Sequence, residues 1–148
     1  MPKQPKRLFL IDGSSYIYRA YDALRHLSNS QGMATNALYG FTNMLLKVIR
    51  ESQPDQLAVI YDSKGPTFRK DIYPEYKANR SAMPEDLVPQ IPYIKRVVEA
   101  FNLPGIEKAG YEADDIIATL AGKFAAKGME VTVVTGDKDL MKIVSDRV

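Results

Sequence analysis

Seven carboxylates fall where strand-like segments give out: Asp12, Asp62, Glu112 with Asp114 and Asp115, and Asp137 with Asp139. Residues 7–11, 56–61 and 131–135 read strongly as strands, and residues 104–108 read more weakly. In an open α/β sheet, ligands bind in the crevice outside the carboxyl ends of the strands. Carboxylates gathered there repel. A like-charged pair at about 4 Å costs roughly 4 kcal/mol at an effective dielectric near 20. Cations between the acids relieve that repulsion. An all-oxygen donor set selects hard divalent ions, Mg²⁺ or Mn²⁺. The pattern therefore predicts metal-dependent phosphate chemistry.

Each acidic point also has an ordinary use. Asp12-Gly13-Ser14-Ser15-Tyr16 can be a turn and a helix cap, although its glycine would let backbone approach a ligand closely. Tyr61-Asp62-Ser63 is the same kind of signal at a second strand end. The chain has no G-x-G-x-x-G, so a dinucleotide site is not supported. Glu112-Ala113-Asp114-Asp115 places acids in a first helical turn, where the dipole favours them. Three acids in four residues exceed what capping needs. On an ideal helix Glu112 and Asp115 are neighbours, and Asp114 lies well round from Glu112. A shared site therefore requires Glu112 to precede the regular helix, which Gly110 permits. In extended backbone Asp137 and Asp139 project to one side and Lys138 to the other; a capped short helix is the plain alternative.

Between the second and third acidic points lies a segment of another character. It carries Lys64, Arg69, Lys70, Lys77 and Arg80 against Asp71 and Glu75, with Phe68, Tyr73 and Tyr76 interleaved. Such a run is ordinarily a solvated loop. Aromatics alternating with basic residues also suit single-stranded nucleic acid, where bases stack and phosphates pair. A positive clamp beside an acidic metal pocket is what a nuclease needs.

The elements that must hold these residues can be read from periodicity. Strand 7–11 ends at Asp12-Gly13, and Ser14 and Ser15 are N-cap candidates. A helix is expected to about Leu27, with Ile17, Ala20, Tyr21 and Leu24 on one face. Residues 28–32 form a loop, and 37–51 a second helix bearing Leu38, Phe41, Leu45, Val48 and Ile49. Gln53-Pro54-Asp55 breaks it before strand 56–61. Residues 63–84 are expected as short helices and loops outside the core. Residues 85–101 form a helix that Pro89 and Pro92 kink or restart. Residues 112–127 form a helix ended by Gly128, followed by strand 131–135 and a short helix over 138–144. The order β-α-α-β-(excursion)-α-β-α-β-α predicts an α/β fold, a mostly parallel sheet with helices on both faces.

Bulk properties narrow the field. A chain of 148 residues, 45% apolar and 26% charged, is expected to form one globular domain. A net charge of +2 names no partner. With no cysteine there is no thiolate site, and with His26 as the single histidine a zinc site is not expected. Residues 1–6 are basic, but no apolar stretch follows, so neither a signal peptide nor a membrane span is expected. A reducing cytoplasmic compartment is the plain expectation.

Five strings together carry a resemblance: Asp12-Gly13-Ser14-Ser15-Tyr16, Phe68-Arg69, Tyr76-Lys77-Ala78-Asn79-Arg80, Glu112-Ala113-Asp114-Asp115 and Thr135-Gly136-Asp137-Lys138-Asp139. In this order and spacing the chain resembles the 5′-nuclease family, in particular the 5′→3′ exonuclease domain of bacterial DNA polymerase I. The resemblance implies a PIN-like (resolvase-like) sheet and a helical arch over about 64–84 that admits a 5′ flap or 5′ end of DNA. It implies two Mg²⁺ (or Mn²⁺) ions and in-line attack of water on a phosphodiester, in DNA replication and repair near the bacterial nucleoid. It assigns Asp12, Asp62, Glu112 and Asp114 to the first metal or its waters, and Asp115, Asp137 and Asp139 to the second. It gives Lys77 and Arg80 to the scissile phosphate, and Tyr76 and Arg69 to DNA contact.

In that family a duplex-binding helical part and further aspartates follow, and a polymerase region can be attached. Ending at Val148, the chain is expected to be the N-terminal part of such a domain, a poor nuclease alone, with an apolar sheet flank left open. The alternative is a non-catalytic DNA-binding fragment retaining sheet and arch. A nucleotide-binding regulatory domain ranks low, because the chain has no phosphate-cradling glycine loop.

Overall fold

A computed structural model describes residues 4–24, 26–63 and 83–135. Its elements are β1 (Arg7–Asp12), α1 (Gly13–Ala23), α2 (Asn36–Ser52), β2 (Gln56–Ile60), α3 (Gln90–Ala100), β3 (Gly105–Ile106), α4 (Ala113–Ala126) and β4 (Glu130–Val134). The strands form one sheet in the order β3-β2-β1-β4, every pair parallel. Parallel strands covered on both faces read as continuous apolar runs. Leu8–Leu10 and Leu57–Ile60 are such runs, buried throughout. Phe9, Ile11, Leu57 and Val59 face one core with Ile17 of α1, Phe41 and Leu45 of α2, and Ile94 and Val98 of α3. Leu8, Leu10, Ala58, Ile60 and Val131 face the other, against Ala113, Ile117 and Ala121 of α4.

The helix on the second face is alone among the described elements, and beside it lies an apolar groove of about 1100 Å³ lined by Leu8, Leu10, Ala58, Ile106, Leu120 and Phe124. No helix among the described residues is long and apolar enough to cross a membrane.

Several boundaries differ from expectation, each for a local reason. Helix α1 ends at Ala23, not near Leu27, because the chain turns: His26 has φ +70, and Ser28 bridges Ala34 in antiparallel fashion. Helix α2 runs one residue wider at each end and stops where Gln53 adopts φ 44 and donates its N–H to Ile49 O at 3.1 Å. Helix α3 begins only at Gln90, with Pro89 as its N-cap. Pro92 then falls in the first turn, where a missing N–H costs no helical bond. Residues 85–89 are turns rather than helix. Strand β2 closes at Ile60, and the weak strand is only Gly105–Ile106. Strand β4 begins a residue early and stops at Val134. The excursion at 64–82 and the short helix at 138–144 lie outside the described residues.

A buried amide ties the three helices of the first face together. Gln90 is 0% exposed. Its Nε2 donates to Asn36 Oδ1 at 2.9 Å and to Asp86 O at 3.0 Å, and its Oε1 accepts from Leu38 N–H at 3.0 Å. Asn36 Nδ2 in turn donates to Tyr21 O at 2.8 Å. The Leu38 amide is one of the N–H groups that a helix start leaves without an intrahelical acceptor.

Because every strand runs the same way, all four carboxyl ends open on one edge of the sheet. That edge carries the candidate site.

Candidate metal centre at the strand ends

Asp12 is the last residue of β1 and the N-cap of α1, with only 3% of its surface exposed. Its Oδ1 accepts from Ser15 N–H at 3.2 Å and its Oδ2 from the Thr135 hydroxyl at 2.8 Å. Burial pushes the Asp12 carboxyl above the usual carboxylate range, and the neighbouring Asp62 carboxylate adds to that rise. The hydrogen bonds from Thr135 and Ser15 pull the other way. The capping role expected of Ser14 and Ser15 belongs to Asp12 instead. Ser15 Oγ donates to Asp12 O at 3.2 Å, and Ser14 Oγ accepts from Asp62 N–H at 2.8 Å. Ser14 thereby ties the end of β2 to the start of α1.

Asp62 lies just past β2. Its Oδ1 accepts from the Ala113 N–H at 2.7 Å. Ala113 is the first residue of α4, so Asp62 satisfies a helix-start amide that has no intrahelical partner. The same bond docks the Glu112 turn onto the end of β2. Glu112 is 6% exposed, with φ −84 and ψ 159. It therefore precedes the regular helix in extended backbone, the geometry that a shared site for Glu112, Asp114 and Asp115 demands. Asp114 and Asp115 occupy the first turn of α4, and Asp115 Oδ2 accepts from Glu112 N–H at 3.3 Å.

Gly13 has a different purpose from the one its motif suggests. A Cβ there would sit 2.8 Å from Val59 Cγ1, 3.0 Å from Ile60 O and 3.1 Å from Tyr61 Cδ1. The close approach that needs glycine is that of β2. Tyr61 is gripped from the other side too, since a Cβ on Gly105 would meet its Cε2 at 3.1 Å. Lys95, paired with Glu107 at 2.9 Å, lies 5.2 Å from the Tyr61 ring centroid. Burial, with the Glu107 and Glu99 carboxylates, pushes the Tyr61 phenol well up. This packed ring immediately precedes Asp62 and fixes where that residue leaves the sheet.

The structure thus brings Asp12, Asp62 and the Glu112 turn to one edge, with Thr135 closing it from β4. Asp137 and Asp139 lie outside the described residues, as do Arg69, Tyr76, Lys77 and Arg80. Among the described residues, no three His, Cys, Asp or Glu side chains group closely enough to hold an ion. The donors present are oxygen only, and a cation would relieve both the Asp12–Asp62 repulsion and the burial of the Asp12 charge. Oxygen donors of this type suit a hard divalent ion, although the described residues alone do not complete a ligand set. The sequence reading missed the hydroxyls of Ser14 and Thr135 as partners of the acids. Their signal was a hydroxyl residue at a strand end on the edge where the acids gather.

Fold and edge together define an α/β domain of resolvase-like type with acidic residues at its parallel strand ends. The chain matches the 5′-3′ exonuclease, N-terminal resolvase-like domain family over residues 7–148, and it belongs to that family. A DNA polymerase I of Rhizobium leguminosarum is 50% identical across 99% of this chain and 15% of its own length. A 5′-3′ exonuclease of Aquifex aeolicus is 46% identical across 97% of this chain and 50% of its own length. In fold, the flap endonuclease of bacteriophage T5, solved with DNA and metal ions, matches with a TM-score of 0.69 at 22% identity, over 97% of this chain and 53% of that one. The PIN-like sheet expected from the sequence is the fold observed. The chain spans between 15% and 53% of the length of these proteins.

Proposed function

We propose that this chain is the N-terminal, metal-holding part of a divalent-metal-dependent 5′→3′ exonuclease or flap endonuclease that hydrolyses DNA phosphodiester bonds at 5′ flaps or 5′ ends. The observation that carries the reading is the meeting of Asp12, Asp62 and the Glu112 turn at one sheet edge, joined by the Asp62–Ala113 bond of 2.7 Å. Membership of the family over residues 7–148 supports it. In this reading Asp12, Asp62, Glu112 and Asp114 hold the first Mg²⁺ or Mn²⁺, and Asp115, Asp137 and Asp139 the second. When bound, two such ions steady the attacking and leaving oxygens of an in-line displacement by water. Asp62 holds the start of α4 in place, and Ser14 holds the Asp62 backbone. Lys77 and Arg80 pair with the scissile phosphate, Tyr76 stacks on a base and Arg69 meets a backbone phosphate. The setting is DNA replication and repair in the bacterial cytoplasm, and in the parent protein a polymerase region can follow.

The test is cleavage of a 5′-flap DNA with Mg²⁺ and with EDTA. Slow Mg²⁺-dependent cleavage is expected, with a rise of about 10²-fold or more when the chain is extended to the length of the Aquifex exonuclease, because misplacing a substrate by about 1 Å already costs that much. A Mg²⁺ response equal to that in EDTA at both lengths would end the reading. A second reading, a DNA-binding fragment without turnover, is favoured by the lack of a three-carboxylate group among the described residues. It expects flap binding with no cleavage at either length.

Lys77→Ala and Arg80→Ala are each expected to weaken single-strand DNA binding and to lower its salt dependence by roughly one phosphate contact. If they act on phosphate alone, their stability should stay within about 0.5 kcal/mol of wild type. Binding isotherms across a salt series check this; unchanged binding with a large loss of stability would make the two residues structural.

A further inference from the structure

We propose that Thr135 is a positioning residue for the metal centre, its hydroxyl fixing the orientation in which the Asp12 carboxylate meets a divalent ion. The proposal rests on the metal-centre reading above and adds a residue to it.

Register brings the two residues together. Strand β1 pairs with β4 in parallel, with Ile11 opposite Val134, so the next residues along are Asp12 and Thr135. The Thr135 hydroxyl reaches Asp12 Oδ2 at 2.8 Å. The other oxygen, Oδ1, takes the Ser15 N–H at 3.2 Å. An ionised carboxylate offers about four lone-pair sites on its two oxygens. A donor on each oxygen holds the plane of the group and leaves lone-pair capacity for a cation. Ser15 contributes its backbone N–H, which side-chain changes leave in place, and its hydroxyl also helps to hold the Asp12 carboxyl down. Thr135 uses a hydroxyl on a β-branched side chain of restricted χ1. The bond lies beside a carboxylate only 3% exposed, where a low dielectric strengthens it.

A plain structural staple is a poorer account. Strands β1 and β4 are already paired over Arg7–Ile11 and Glu130–Val134. One hydroxyl beyond the last paired residue adds little to that ladder. What it does control is the direction of a buried carboxylate that shares the edge with Asp62. Partners that hold ligating carboxylates typically carry about 10–100-fold in metal affinity.

The experiment is Mn²⁺ binding to the full chain, read as free Mn²⁺ by electron paramagnetic resonance, for wild type, Thr135→Val and Thr135→Ser. Thr135→Val keeps the shape and deletes the donor. It should bind Mn²⁺ about 10–100-fold more weakly. Thr135→Ser restores the hydroxyl and should fall within about threefold of wild type, since the donor to Asp12 is kept. Melts in EDTA should place Thr135→Ser near wild type and Thr135→Val lower, because the buried Asp12 carboxylate loses a donor, so affinities are compared at a temperature where all three are folded. Thr135→Ala gives a second donor-free variant for the same comparison against Thr135→Ser. Wild-type affinity in the donor-free variants, or a serine variant as weak as the valine one, would overturn the assignment of Thr135. Absence of Mn²⁺ binding by wild type would instead overturn the metal centre itself, a separate failure.

Discussion

Saturating Mn²⁺ or Mg²⁺ is expected to raise the melting temperature of this chain by roughly 5–10 °C, and Asp12→Asn to remove most of that rise. An ion that binds only the folded state stabilises it by about 2.7 kcal/mol at a hundred times its Kd. In a domain near this size, each kcal/mol moves the midpoint by roughly 2–4 °C. The source is the strand-end edge, where Asp12 is buried and faces Asp62. The same electrostatics set the behaviour without metal. Asp12 holds its proton more tightly when folded, its pKa being raised from 3.8. Between that value and the raised one, the folded state carries more protons than the unfolded state. Stability therefore falls as pH rises through this window, and the full penalty is present above it.

Asp12→Asn removes the charge while leaving hydrogen bonding workable. The amide oxygen can accept from Ser15 N–H, and the Thr135 hydroxyl can turn to accept from the amide nitrogen. In EDTA at neutral pH the variant is expected to melt above wild type, and the gain should vanish below pH 3.8. Melts with Mn²⁺, Mg²⁺ and EDTA across pH give the answer. Equal wild-type midpoints with saturating metal and with EDTA would remove the cation site.

Gly13→Ala is expected to cost about 1–3 kcal/mol, the usual penalty for forcing an extra methyl into packed structure. The added methyl would lie 2.8 Å from Val59 Cγ1 and 3.0 Å from Ile60 O. The first contact is with a fully buried core side chain and the second with backbone. That backbone has little room to retreat. Strand β2 is held between β1 and β3, and Tyr61 N–H donates to Ile106 O at 2.8 Å. Because Asp12 and Asp62 flank this contact, a shift there also changes their spacing, so Mn²⁺ affinity should fall along with stability. Gly122→Ala is the control: it lies in α4 with nothing within 4 Å of an added Cβ. It should be neutral or stabilising by up to about 1 kcal/mol through helix propensity. Denaturant melts of the two variants make the comparison. A wild-type midpoint for Gly13→Ala would mean that β2 does not press on this turn.

The sequence by itself determined the element types, the parallel α/β class and the strand ends at which the acids stand. Apolar runs such as Leu8–Leu10 and Leu57–Ile60 are strand signals within a few residues of chain. Strands that alternate with helices are expected to run mostly parallel, so their carboxyl ends share an edge without any knowledge of which strand neighbours which. The extended backbone of Glu112 was legible for the same local reason: three acids cannot share one site from regular helical positions. The tertiary structure alone decided the order β3-β2-β1-β4, and with it everything that depends on neighbours. Thr135 reaches Asp12 because β4 lies beside β1, a partner 123 positions away. Asp62 meets Ala113, and Ser14 meets Asp62, across separations of 51 and 48. Gly13 is needed because β2 presses on it, where the motif alone suggested a ligand. Helix α3 starts at Gln90 because a buried amide there satisfies α2 and anchors the turn before it. Such hydrogen bonds and contacts are made between segments, and local periodicity carries no record of register across a sheet.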